Sequence, residues 1–263
     1  MPRVARLHLF EFEDQAWFPS SIRDLLTDFL SFFFRTFKPY ACVAEPLSRA
    51  LAATGARQIV DLCSGAGQPI LSVLPLLEER GAVPVAVVLT DKFPNLSAFD
   101  AAVDAGGGLV TCASESVDAT DVPAELTGFR TLFTSFHHFR PAEAREILAD
   151  AKGKGEGIGV FEFTERTWWL WTLPVLLIPT FVWLCTPFIR PFTWRRLFWT
   201  YVLPAVPLLA FWDGAVSNLR TYSPRELGAL VAPLDDGTYN WQIGRLPSIG
   251  LSRVTYLVGW PLS

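Results

Sequence analysis

The chain has 263 residues, of which 51% are apolar and 18% charged, and a formal net charge of −4. That length suits one sizeable α/β core, and the acidic balance offers no general attraction to nucleic acid, whose phosphates favour a basic face. The four cysteines (Cys42, Cys63, Cys112, Cys185) form no CxxC pair, so reduced thiols in a cytoplasmic protein are expected, with no metal centre and no disulfide framework. The opening MPRVARLHLFEFEDQ has two arginines but no apolar stretch before its acidic residues, so no secretory signal is expected.

Residues 1–55 read as a helical lead-in. Leu25, Leu26, Phe29, Leu30 and Phe33 recur at helical spacing behind the capping Ser20 or Ser21. A second helix over VAEPLSRALAATG stops at Gly55. From residue 56 strands and helices alternate. RQIVDLC, PVAVVLTD, GLVTCAS, FRTLFTSF and GIGVFEF are short apolar runs, and PILSVLPLLEER, PNLSAFDAAVDA and PAEAREILADAKG are helical segments among them. Continuous apolar strands separated by helices predict a parallel sheet covered on both faces, a doubly wound α/β fold. After an apolar stretch, SPRELGALVAP predicts a helix capped by Ser223 with Pro224 at its first position. TYNWQIGRL and RVTYLVGW then predict a terminal antiparallel hairpin.

The chemistry-bearing residues gather where the strands end. DLCSGAGQP, Asp61 to Pro69, turns the first strand into the first helix, and Gly65 and Gly67 permit close backbone approach beside a helix N-terminus with its unpaired N–H groups. Asp91 ends the second strand, where a carboxylate accepts hydrogen bonds from both hydroxyls of a ribose. Asp118 follows the third strand, either at the same ligand or as a turn-capping acid. The dinucleotide fingerprint GxGxxG is incomplete, because its third glycine position holds Ile70.

DLCSGAG resembles motif I of the class I S-adenosylmethionine-dependent methyltransferases, D/E-x-G-x-G-x-G. Asp61, Gly65 and Gly67 match, and Cys63 stands where the first glycine is expected. The resemblance covers about residues 56–159 and the terminal hairpin. It implies a Rossmann-like, mostly parallel sheet ending in that hairpin, with S-adenosyl-L-methionine as cofactor. By the resemblance Asp61, Ser64, Gly65 and Gly67 form the cofactor loop and Asp91 holds the ribose. Lys92 or Phe93 lies beside the adenine with Val117 and Asp118, and Ser135 lines the methyl-donor pocket. His137 and His138, at the carboxyl end of a central strand, are candidate general bases for removing an acceptor proton, or one of them packs beneath the loop. Glu162 and Glu165 are competing acids on the same rim, and Glu13, Asp14, Trp17, Asp213 and Tyr222 are further candidate substrate contacts. Two other readings stand beside methyl transfer: an NAD(P)-dependent oxidoreductase, and a membrane-bound scaffold with a vestigial nucleotide pocket.

The insert at 166–213 interrupts the methyltransferase-like domain of 56–263. Trp168 to Phe188 reaches roughly 31 Å as a helix, close to a bilayer's apolar thickness. The second run, Leu197 to Trp212, is shorter, and the loop between them carries Arg190, Arg195 and Arg196. As a spanning hairpin from a cytoplasmic domain it would place those arginines outside, and its prolines would interrupt the helices. The expectation is a peripheral or monotopic protein at a membrane's inner face. Tryptophans and arginines would lie in the interface, with an apolar, lipid-like small molecule as acceptor. An apolar lid, a homodimer interface and a two-span hairpin are the alternatives.

Overall fold

In the computed structural model, residues 5–15, 17–81, 84–166, 168–190 and 192–262 are described, residues 168–174 by their backbone alone. The chain divides into two compact units, Lys38–Phe163 with Tyr222–Ser263, and Met1–Phe37 with Thr164–Thr221.

The first of these carries the sheet. Its described strands are β1 (Gln58–Asp61), β2 (Ala86–Leu89), β3 (Val110–Cys112), β4 (Phe129–Phe133), β5 (Ile158–Glu162), β6 (Tyr239–Pro247) and β7 (Arg253–Pro261). They form one seven-stranded sheet in the order β3-β2-β1-β4-β5-β7-β6. The first five strands pair in parallel, whereas β7 runs antiparallel between β5 and β6. β4 and β5 are buried along their whole length, as strands covered on both faces must be. The predicted strands, parallel pairing and terminal hairpin are all present.

The flanking helices are α2 (Ala44–Thr54), α3 (Gln68–Glu79), α4 (Leu96–Ala105), α5 (Pro141–Gly153) and α9 (Pro224–Val231). Gly55 ends α2 in the left-handed conformation, and Ser223 caps α9 in a reciprocal box with Glu226. Ile147, Leu148 and Ala151 of α5 and Leu227, Leu230 and Val231 of α9 pack with Val60, Leu132, Val160 and Leu257 of the sheet in one core. Burying these side chains is worth roughly 1.5–3 kcal/mol each for the larger ones.

The other unit contains α1 (Ser20–Phe37), α6 (Trp168–Cys185), α7 (Trp194–Leu197) and α8 (Ala205–Arg220), with a single π turn over Phe198–Val202. Phe18, Leu25, Leu26 and Phe29 pack with Val182, Cys185, Ile189 and Val206. The expectation that prolines break the insert holds only in part. α6 runs through Pro174 and Pro179, whereas Pro187 lies in the 3-10 turn beyond it and Pro204 caps α8. The tryptophans at 168, 169 and 171, expected in a membrane interface, have side chains outside the described residues.

Candidate active site

The carboxyl ends of β1, β2 and β3 converge on the glycine loop. Asp61 ends β1 beside Thr131 of β4, whose hydroxyl donates to Asp61 Oδ1 at 2.5 Å. The Ser64 and Thr90 hydroxyls both donate to the Asp61 carbonyl, at 2.7 and 2.9 Å. Burial pushes the Asp61 carboxyl up to about 7, against the lowering effect of the Thr131 and Ser64 hydroxyls, and the nearby Asp91 charge adds to the rise. Asp61 is thus an organiser of the loop, buried beneath it.

Three successive turns in this loop adopt positive φ: Cys63 at 54°, Gly65 at 56° and Gly67 at 68°. A left-handed backbone favours glycine, which explains why the family pattern has glycine at the first position and identifies Cys63 as a strained substitute. Burial and the charges of Asp91, Asp61 and Asp118 hold its thiol well above its ordinary value, so it remains a neutral thiol. The two glycines differ. A Cβ on Gly67 would sit 2.8 Å from Leu89 Cδ1, whereas one on Gly65 would meet nothing within 4 Å. Gly67 is therefore required by packing, and Gly65 borders open space.

Asp91 ties the loop to the second strand. Its Oδ2 accepts from the Gly65 amide at 3.0 Å and its Oδ1 from the Phe93 amide at 2.9 Å. The Ser64 amide donates to Thr90 O at 2.9 Å and the Gly67 amide to Ser64 O at 2.8 Å. The loop amides expected to stand open toward a ligand are thus engaged within the protein at these three positions. Each Asp91 oxygen retains a lone pair for a further donor. Lys92 Nζ and Asp118 Oδ2 lie 2.8 Å apart, and Asp118 Oδ1 accepts from Thr120 N and Oγ1 at 3.0 and 2.7 Å. The Lys92 and Thr120 hydrogen bonds hold the Asp118 carboxyl at about 2. The Val117 amide donates to Asp91 O at 2.9 Å, joining the third loop to the second. The Phe93 ring is 76% exposed, a flat apolar surface beside Asp91.

A second cluster lies at the ends of β4 and β5. His137 is 1% exposed, and its Nδ1 lies 2.8 Å from Glu162 Oε2 while its backbone N–H donates to Glu162 Oε1 at 3.1 Å. Burial alone would raise the Glu162 carboxyl, but the charge and hydrogen bonds of His137, with His138 adding to the charge effect, bring it below its usual value. An ionised carboxylate only accepts, so a neutral His137 carries its proton on Nδ1 and its basic lone pair on Nε2. The His138 ring lies against His137 with centroids 4.3 Å apart. Ser135 Oγ is buried and finds no hydrogen-bond partner among the described residues.

The structure also places residues that sequence patterns missed. Tyr40 is fully buried, its hydroxyl hydrogen-bonds Thr134 Oγ1, and its ring meets Phe133 edge-on at 5.0 Å. Burial, reinforced by the Glu162 charge, keeps this phenol protonated well above its ordinary range. Thr134 sits at φ 47°, between β4 and Ser135. No local spacing marks Tyr40, which lies between two helices in KPYACV. Three other candidate substrate contacts have side chains engaged within the protein. The Tyr222 hydroxyl donates to Phe139 O at 2.8 Å, Asp213 accepts from the Phe12 and Glu13 amides at 2.9 and 3.3 Å, and Arg220 Nη1 meets Asp14 Oδ2 at 2.6 Å. Trp17 is exposed, and Glu165 donates its amide to Asn218 Oδ1 at 2.9 Å.

The residues fit an adenosyl sulfonium ligand. They supply a carboxylate with spare lone pairs, open space over Gly65, an exposed aromatic face and an orphaned buried hydroxyl at Ser135.

No protein-family model matches the sequence, and comparison with curated proteins finds no match. Solved structures do match. The plantazolicin methyltransferase solved with SAH superposes with a TM-score of 0.56 at 10% identity, over 95% of this chain and 94% of that one. A protein described as an O-methyltransferase from Nostoc punctiforme PCC 73102 gives 0.53 at 14% identity, over 97% of this chain and 64% of that one. One described as a zinc-dependent alcohol dehydrogenase from Rhodobacter sphaeroides gives 0.52 at 14%, over 97% and 100%. The chain spans 57% to 64% of the length of several O-methyltransferases it aligns with. Such identities speak for fold alone, and the strand order decides which fold. The dinucleotide sheet runs 3-2-1-4-5-6 with its strands parallel, whereas here the antiparallel β7 lies between β5 and β6. The fold is that of the class I S-adenosylmethionine-dependent methyltransferases.

Proposed function

We propose that this chain is an S-adenosylmethionine-dependent methyltransferase acting on an apolar small molecule with an acidic O–H or N–H. The observation that carries the reading is the junction at Asp91. It closes the glycine loop through the Gly65 amide, retains lone pairs for ribose hydroxyls, and leaves that amide unavailable to a pyrophosphate. Asp91 would hold the ribose, Phe93, Val117 and the Lys92–Asp118 pair would flank the adenine, and Ser135 would face the donor end. Bound there, S-adenosylmethionine supplies a methyl group activated by its sulfonium charge.

The chain's own contribution is proton removal and alignment. Glu162 fixes the His137 ring by two contacts, so that Nε2 is the basic atom and the imidazolium formed on taking an acceptor proton is stabilised by the carboxylate. The phenol of Tyr40, bonded to Thr134, holds the backbone that presents Ser135. The apolar composition of the insert supports an apolar, lipid-like acceptor.

Incubation with isotope-labelled methyl donor and a lipid extract tests the reading. Label should pass into the organic phase and be lost in Asp91→Ala. Label confined to the aqueous phase, in protein that binds the donor, would rule out an apolar acceptor.

A further inference from the structure

The unit of Met1–Phe37 and Thr164–Thr221 contains a helical hairpin made of α6 and α8. At its base the Thr164 and Thr221 hydroxyls are hydrogen-bonded and the Glu165 amide donates to Asn218 Oδ1. At its other end Val182 and Cys185 of α6 pack with Val206 of α8. The two helices therefore run antiparallel, and the described residues 183–190 and 192–203 form the tip. The Tyr201 hydroxyl donates to Trp183 O at 2.7 Å and the two rings lie 5.5 Å apart, fastening the π turn to the last turns of α6.

This tip is apolar on both sides. Val182, Cys185, Ile189 and Val206 are buried in the core of their unit. Their neighbours Trp183, Leu184, Phe188, Trp194 and Val202 are between 52% and 79% exposed. Large apolar side chains exposed together at one end of a hairpin mark an interaction site rather than ordinary surface. Its charge identifies the partner. Between Glu165 and Asp213 the sequence has no acidic residue, and its ionisable side chains include the arginines 166, 190, 195 and 196, in a protein of net charge −4. Arg196 turns inward, to Asp28 and to the Ile189 carbonyl at 3.1 Å, which corrects the expectation that all three loop arginines lie at headgroups. Arg190 and Arg195 remain exposed among the aromatic side chains. No single described helix is long and apolar enough to cross a bilayer; the segments Trp194–Val202 and Ala205–Arg220 reach that length and apolarity only together, across a 73° bend that suits a re-entrant segment or a broken span.

We infer that the hairpin tip, residues 183–190 and 192–203, is a monotopic docking surface for anionic lipid. Its tryptophans and phenylalanines enter the interface, and Arg190 and Arg195 meet the headgroups. Two exposed arginines amid aromatic side chains, with no carboxylate between Glu165 and Asp213, complement an anionic membrane surface, where tryptophans sit at the interface and arginines meet the headgroups. The inference deepens the apolar-acceptor reading but does not rest on methyl transfer, because vesicle binding without methyl donor tests it alone.

The experiment is flotation of the full chain with phosphatidylcholine vesicles, with and without phosphatidylserine. Wild type should float with the anionic vesicles at about 0.1 M salt and much less at about 1 M. Arg190→Gln with Arg195→Gln should weaken partitioning onto anionic vesicles about 25-fold, since each arginine near the surface is worth about fivefold. Phe188→Ser with Trp194→Ser should abolish binding to either vesicle. All the replaced side chains are exposed, so thermal unfolding of both variants should match wild type. Absence of wild-type flotation on anionic vesicles, or flotation indifferent to the arginines, overturns the inference. A stable dimer lost in Phe188→Ser with Trp194→Ser, with no vesicle binding, would assign the same surface to a second copy of the chain.

Discussion

His137 and Glu162 form a pair whose parts have separable consequences. Replacing His137 with Asn removes the proposed base, and kcat should fall by about 100-fold or more with little change in acceptor KM. Glu162→Gln should lower kcat less and move the acid limb of the pH–rate profile, because it keeps the base but removes the carboxylate charge that stabilises the imidazolium. Wild-type kcat in the Asn variant would show that proximity alone carries the reaction. The glycine loop gives a second contrast. Gly65→Ala should cost about 1 kcal/mol for its left-handed backbone but a larger factor in cofactor affinity, since its Cβ enters open space. Gly67→Ala should show the reverse, a greater loss of melting temperature from the clash with Leu89. Asp61 predicts a pH dependence. Its folded value of about 7 lies above the ordinary 3.8, so between about pH 4 and pH 7 the folded chain keeps a proton that the unfolded chain releases. Its contribution to stability therefore falls as pH rises through that window, and Asp61→Asn should flatten the dependence seen in urea unfolding. Asp213, raised to about 6 by burial, acts in the same sense in the other unit. At this scale the sequence located Asp61, Asp91 and the histidines through their places after strands. It could not pair His137 with Glu162, because their contact depends on β4 lying beside β5, which no local spacing encodes.

The strands were legible because parallel strands buried on both faces must be apolar throughout, and each ended in a turn residue or a charge. The hairpin of β6 and β7 was legible from two β-rich segments around PSIGLS, although its place beside β5 was not. The insert was the least legible element. Its uniform apolarity hid which face packs, and proline rules overstated the breaks in α6, because a run without periodicity carries no phase information. Arg196 illustrates the cost of reading charge without contacts. It is buried against Asp28 on α1 and holds the turn before α7 through the Ile189 carbonyl. Asp28→Ala removes the carboxylate from beside that buried guanidinium and should destabilise the protein by roughly 2–3 kcal/mol, less than a fully buried pair because Asp28 is partly exposed. Thermal unfolding checks this. A second replacement, Arg196→Met, should recover most of the loss if the buried charge is its cause.

For the whole molecule, the sheet unit carries the glycine loop with Asp91 and Asp118 at the carboxyl ends of β1–β3 and a histidine–carboxylate pair at β4–β5. The other unit supplies an apolar hairpin. Fold alone does not fix chemistry, and the likeness to a protein described as an alcohol dehydrogenase makes the choice of cofactor the central question. The proposal of a sulfonium nucleoside rests on the Gly65 amide, which donates to Asp91 and so is not offered to a pyrophosphate. Titration calorimetry with S-adenosylmethionine, its demethylated product and NAD tests this most directly. Binding of the first two, at least tenfold weaker in Asp91→Ala, and no binding of NAD is the predicted result. NAD binding, or no heat from either adenosyl ligand with folded wild type, would contradict it.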